Sequence, residues 1–115
     1  MSVRIGFTKF RGQMLEQELD TIQQLLPTLG VEKVILTGDM ISGNYSPYSS
    51  IRLIIVHDTD RPFGRRADFF SYHLSSMVDV ETLVYTPDEF KTLPESLPAL
   101  NKACQEGRVL YDARL

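Results

Sequence analysis

Two apolar runs and the loop between them do most to limit what this chain can become. Residues 31–37 (VEKVILT) and 51–57 (IRLIIVH) are each about one strand long, and Val34, Ile35 and Leu36 stand together inside the first. Successive strand side chains point to opposite sides, so runs apolar on consecutive residues ask to be covered on both faces. The second run is apolar enough for a central place in a sheet. Residues 38–49 are rich in Gly, Ser, Asn and Pro and read as a loop. Gly38-Asp39 therefore closes one strand, and ten residues later Ser50-Ile51-Arg52-Leu53 opens the next. At positions i and i+2, Ser50 and Arg52 share one face of that strand.

The remaining elements are set by period and punctuation. Val3, Ile5 and Phe7 alternate with Arg4, Gly6 and Thr8, so residues 1–12 read as a strand or extended arm, with Gly12 separating it from the next element. Leu15, Leu19, Ile22, Leu26 and Leu29 recur every three or four residues and form one stripe of an amphipathic helix. Pro27 ends or kinks that helix, and Gly30 reverses the chain. Asp58-Thr59-Asp60 supplies N-caps for a second helix, with Pro62 at its first position and Phe63, Ala67, Phe70 and Leu74 as its buried stripe. Residues 77–85 (MVDVETLVY) form a third strand with Val78, Val80, Thr82 and Val84 on one face and Asp79, Glu81, Leu83 and Tyr85 on the other. Thr86-Pro87-Asp88-Glu89 is a capping box that opens a short helix. Pro94 and Pro98 interrupt the segment after it, Leu97, Leu100 and Cys104 mark a last helix stopped at Gly107, and residues 109–111 are extended. The order predicts an α+β fold, a small mixed sheet with helices packed against it.

At 115 residues the chain is expected to be one domain, 1–115, with a single core. A hydrophobic share of 43% and a charged share of 23% are those of a globular protein. The net charge of −3 and a pI near 5.3 argue against a general nucleic-acid binder, which carries a basic excess. One cysteine, Cys104, excludes an internal disulfide and a Cys-rich zinc site. No apolar run reaches the length of a membrane span, and the start lacks a signal-peptide core, so no membrane association and a cytoplasmic location are expected.

The turn, the loop length and the strand after the loop resemble the minimal nucleotidyltransferases of the DNA polymerase beta superfamily. Their signature is a Gly-Ser turn after the first strand, about ten residues of loop, Asp-x-Asp opening the second strand, and a third carboxylate on the next. Leu36-Thr37-Gly38-Asp39 stands at the turn, residues 49–53 (SSIRL) at the Asp-x-Asp place, and residues 77–80 (MVDV) on the third-carboxylate strand. The resemblance covers nearly all of the chain after residue 13 and implies a nucleotidyltransferase-like fold. In that family two divalent ions bridge a nucleoside triphosphate and activate the acceptor hydroxyl, which needs carboxylate oxygens. Here the Gly persists as Gly38, but the Ser is replaced by Asp39, whose charge repels phosphate. Ser50 and Arg52 hold the two aspartate places, and only Asp79 matches residue by residue.

The resemblance therefore implies a catalytically degenerate member, with no catalytic residue, metal or cofactor, and with Gly38, Asp39, Ser50, Arg52 and Asp79 as the altered site positions and Glu81 as a further cleft residue. Arg52 is expected to act as a built-in counter-ion, pairing with Asp79, Glu81 or Asp39. The alternative is an active enzyme that takes magnesium and a nucleoside triphosphate through a rebuilt acidic site of Asp39, Asp79 and Glu81. Small members of the family are often encoded beside a helical HEPN-type protein, which makes such a partner the implied one. A third reading is a small subunit that forms homo-oligomers through the strand at residues 1–10.

Other residues fit simpler roles. Arg61, Arg65 and Arg66 are either a phosphate-binding patch or a solvated basic face. Tyr45 and Tyr48 sit in the loop and could stack on a base. His57 and His73 are far apart in sequence and have no third partner, so a zinc site lacks parts. Cys104 lies on the buried stripe of the last helix.

Overall fold

The structure is a computed structural model and describes residues 3–74 and 78–114. The chain runs α1 (Val3–Leu25), a 3-10 turn (Leu26–Thr28), β1 (Lys33–Thr37), α2 (Asp39–Ser42), β2 (Ile51–Val56), α3 (Phe63–His73), β3 (Val80–Tyr85), α4 (Pro87–Ser96), α5 (Pro98–Glu106) and β4 (Arg108–Asp112). The four strands form one mixed sheet in the order β3-β2-β1-β4. β1 is antiparallel to both β2 and β4, whereas β2 and β3 run parallel. This is the α+β architecture that the sequence predicts.

Both faces of the sheet are covered, as the continuous apolar runs require. On one face, Leu15, Leu19, Ile22 and Leu26 of the first helical segment join Phe70 and Leu74 over Val34, Leu36, Ile51, Leu53 and Ile55. Each such buried side chain contributes about 1.5–3 kcal/mol relative to exposure. On the other face, Leu100 packs against Ile35, Ile54 and Tyr85, flanked by Phe90, Ala103 and Cys104 from α4 and α5. The two inner strands thus divide their residues by parity, Val34 and Leu36 to one side and Ile35 to the other.

The outer margins of the sheet are each touched by a side chain. Gln23 Nε2 of α1 donates to the Leu110 carbonyl of β4 at 3.4 Å, and Arg66 Nη1 of α3 donates to the Val84 carbonyl of β3 at 3.3 Å. Gly107 ends α5 where no other residue fits. An added Cβ would lie 2.7 Å from Ile35 Cγ2 and 2.7 Å from the Leu36 carbonyl oxygen.

Several local expectations are corrected. Residues 3–12 are the first half of α1, not a strand or arm. The alternation of three apolar residues is outweighed by a helical repeat, because Val3, Phe7, Phe10 and Met14 recur at spacings of four, three and four. Gly6 and Gly12 each cost a helix about 1 kcal/mol but do not end it, and a helix satisfies its own backbone without a strand partner. α3 starts at Phe63, with Pro62 in the cap position and no side-chain cap; Thr59 Oγ1 accepts from the Arg61 N–H instead, at 3.2 Å. Phe63 is 49% exposed, so the buried stripe of α3 is carried by Phe70 and Leu74 together with Arg66, which is 9% exposed. β3 begins at Val80, and Met77, where the sequence pattern starts this strand, lies outside the described residues. The loop after Gly38 opens with the short helix α2.

α4 runs through Pro94 to Ser96, so that proline does not interrupt the segment as expected, whereas Pro98 does open a new helix, α5. Two further signals act as expected. The capping box forms in both directions, Thr86 N–H to Glu89 Oε1 at 2.9 Å and Glu89 N–H to Thr86 Oγ1 at 3.2 Å. α5 stops at Gly107 and residues 108–112 add the fourth strand. No helix among the described residues is long and apolar enough to cross a membrane.

Candidate functional site

β1 delivers the chain to Gly38, whose backbone angles of φ 83 and ψ −148 lie in a region that residues with a side chain rarely enter. From there α2 departs, and its first residue, Asp39, turns back toward the end of the loop. Ser49 Oγ donates to Asp39 Oδ2 at 2.7 Å and accepts from the Ser46 N–H at 2.8 Å. Ser49 is 3% exposed, and its carbonyl accepts from Arg11 Nε of α1 at 2.8 Å. Asp39 is therefore a latch that ties the two ends of the loop together. Sequence reasoning passed over Ser49 because one serine among several in a polar loop carries no distinguishing signal.

β2 then presents Arg52 on the face it shares with Ile54, α4 and α5, with Ser50 just before the strand, while Ile51 and Leu53 are buried on the other face. Register sets the neighbours of Arg52: Thr37 of β1 on one side and Glu81 of β3 on the other. Arg52 Nε donates to Glu81 Oε2 at 2.7 Å, with both side chains 59% exposed. The stem of Arg52 lies over the turn, so that a Cβ on Gly38 would come within 3.0 Å of its Cδ. Gly38 is thus needed twice, for its φ and for the space its missing side chain leaves to Arg52.

Of the three acids, Arg52 pairs with Glu81. Asp39 is engaged by Ser49, and Asp79 is exposed, its carbonyl accepting from the Ile51 N–H at 2.9 Å at the entrance to β3. The geometry thus brings together Gly38, Arg52 and Glu81, sets Ser50 and Asp79 one rung before the Ile51–Val80 pair, and turns Asp39 away. Among the described residues no group of three His, Cys, Asp or Glu side chains is placed to hold a metal ion. An exposed guanidinium bonded to one carboxylate can accept an anion but cannot coordinate a divalent cation.

Arg52 and Glu81 stand at the rim of a cleft of about 550 Å³ between the sheet and α5, walled by Ile54, Leu83, Tyr85, Leu97 and Leu100. Leu83 and Leu97 are 47% and 45% exposed. A larger and shallower groove, of about 1420 Å³, runs between α1 and residues 43–47 and includes none of the six site positions. The smaller cleft is the one that concerns the chemistry, because the register-paired charges open onto it.

The three arginines of the loop and α3 separate rather than form a patch. Arg61 is exposed, and Arg65 Nε pairs with Asp68 at 3.1 Å. Arg66 is buried, with Nη1 at 2.5 Å and Nη2 at 3.3 Å from the Glu89 carboxylate and Nε at 2.8 Å from the Arg61 carbonyl oxygen. The Arg66 hydrogen bond, then the Thr86 N–H, hold the Glu89 carboxyl below the usual carboxylate range. The pair was hidden in the sequence because Glu89 already had a role in the capping box.

The two histidines, far apart in the chain, meet on one ring. His57 stacks on Phe69 at 5.8 Å and His73 lies against the same Phe69 at 4.4 Å. His57 Nδ1 is buried with no hydrogen-bond partner among the described residues. Tyr48 is 89% exposed, whereas Tyr45 donates to Glu16 Oε1 at 3.3 Å and packs on Gly12. Burial raises the Cys104 thiol above its usual pKa, which makes it a poor nucleophile.

Compared with protein-family models, with curated proteins and with solved structures, the chain matches none.

Proposed function

We propose that this chain is a catalytically degenerate nucleotidyltransferase-like module, one that acts by binding and not by phosphoryl transfer. The observation that carries the reading is the Arg52–Glu81 ion pair, 2.7 Å long, on paired rungs of β2 and β3. A divalent ion serves such a site by neutralising converging carboxylates. A guanidinium fixed in covalent structure supplies charge at the same place and needs no metal. The antiparallel β1–β2 unit closed by a glycine turn, followed by a third strand parallel to β2, supports the fold half of the reading. The engagement of Asp39 by Ser49 speaks against a rebuilt acidic site, since one of its three ligands is already bound elsewhere.

The function that remains is recognition of a protein partner, and a HEPN-type helical protein is the first candidate. The cleft between β3 and α5, with Leu83 and Leu97 at its surface, offers apolar area beside a charged rim. Calorimetric titration with magnesium or manganese, with each nucleoside triphosphate, is expected to give no metal-dependent binding, and labelled nucleotide is expected not to be transferred. The double variant Ser50→Asp/Arg52→Asp is expected to gain metal binding. Metal-dependent nucleotide transfer by the wild-type chain would falsify the reading.

A further inference from the structure

We infer that the cleft between β3 and α5 is a binding site for a free α-amino acid with a large apolar side chain, such as leucine or phenylalanine. Strand parity builds its polar and apolar parts in line. Arg52 and Glu81 share one rung of β2 and β3, and Ile54 and Leu83 share the next rung on the same face. Such rungs stand about 6.6 Å apart, the reach of one large side chain from its α-carbon. Leu97, at the cap of α5, and Leu100 complete the apolar lining, with Tyr85 a further rung along β3. The cleft, of about 550 Å³, falls within the roughly 300–1,000 Å³ of small-molecule sites, which are mostly apolar with a few polar groups that fix orientation.

The charges at the rim select the occupant. Only Nε of Arg52 and Oε2 of Glu81 enter their ion pair. Among the described residues no other side-chain hydrogen bond or ion pair engages either one, so both Nη groups and Oε1 keep their bonding capacity. The outer edge of a guanidinium takes a carboxylate in fork geometry, and a carboxylate oxygen beside it accepts from an ammonium. An α-amino acid carries both groups on one carbon. Its head therefore meets both charges at once, and its side chain enters the apolar part. Other occupants match half of this. A fatty acid satisfies Arg52 but offers nothing to Glu81, and an amine does the reverse. The end of a protein chain also carries one of the two charges, its other group being an uncharged amide.

Such a site needs from the proposed function only the pairing of Arg52 with Glu81, and neither the family resemblance nor a protein partner. Titration of the isotope-labelled chain with L-leucine and L-phenylalanine, in EDTA and without nucleotide, is expected to give saturable NMR shifts at Arg52, Ile54, Glu81, Leu83 and Leu97. Alanine should bind at least about tenfold more weakly, having less apolar surface to bury. N-acetyl-leucine, which lacks the ammonium, and leucinamide, which lacks the carboxylate, should each bind about tenfold more weakly than leucine.

Arg52→Gln should erase the preference for leucine over leucinamide, and Glu81→Gln the preference for leucine over N-acetyl-leucine. A merely structural role would move neither preference. Both positions are exposed, so the variants should keep the wild-type circular dichroism spectrum. A failed amino-acid titration leaves the metal and nucleotide titrations unaffected, and metal-dependent transfer leaves the amino-acid titration unaffected, so the two readings fail separately. Three results would overturn the inference. One is no saturable shift with about 10 mM leucine or phenylalanine. Another is N-acetyl-leucine or leucinamide binding as tightly as leucine, which marks a site for the end of a protein chain. The third is ligand preferences unchanged in both variants.

Discussion

Arg66 and Arg52 are both ion-paired arginines, and burial makes them different kinds of residue. Arg52 and Glu81 are open to water, where such a pair contributes at most about 1 kcal/mol. Arg52→Ala should therefore shift the chemical-denaturation midpoint only slightly, and a large shift would show that the pair holds the fold. Arg66 is buried, so removing Glu89 leaves a guanidinium without its anion. Glu89→Gln is expected to cost about 2 kcal/mol near neutral pH. The carboxyl of Glu89 is depressed in the folded state, so its contribution is present above the unfolded pKa and lost as pH falls through the folded one. Denaturation of wild type and variant at stepped pH should show the gap closing on the acid side, and a gap constant with pH would argue against the pair. At this scale the sequence was partly readable. Gly38 and Arg52 could be singled out from spacing, because a strand fixes which face each residue takes. The partner of Arg52 could not be chosen among three acids, because that choice depends on the register between β2 and β3.

Elements whose signals are local were legible, and those decided by distant contacts were not. The stripe from Leu15 to Leu26 and the capping box at Thr86 each specify their geometry within a few residues, and both appear as expected. The first twelve residues carry two overlapping periods, and the helical one, which continues into the stripe from Leu15 onward, prevails over the short alternation. The start of α3 was misplaced by one residue because Thr59 bonds locally and does not cap the helix. Gly107 was readable as a helix stop, but its tight approach to β1 is a property of the packed sheet. Gly107→Ala should cost about 2 kcal/mol through overpacking, seen as a lower Tm. An unchanged Tm would mean that Ile35 and the β1 backbone yield at little expense. Gly38→Ala is expected to cost about 1–3 kcal/mol from its φ alone, and to displace Arg52 as well.

At the scale of the molecule, the sheet divides the protein into two unequal halves. The α1 and α3 side buries most of the core, while the α4 and α5 side is thinner and leaves the cleft beside Arg52 open. The thinner side also holds Cys104. Its raised thiol pKa predicts slow alkylation at neutral pH, much slower than a free peptide thiol, with full reactivity restored in denaturant. Rapid labelling of the folded chain would mean that α5 lifts from the sheet on the timescale of the reaction. The side chains at the two margins have a consequence of another sort. A fifth strand joining β4 must first displace Gln23 from Leu110, and one joining β3 must break Arg66 away from Val84 and draw its charge into the new interface. Both flanks are thus poor templates for growth, and fibrils or sheet-swapped aggregates should nucleate from unfolded chains and not from native ones.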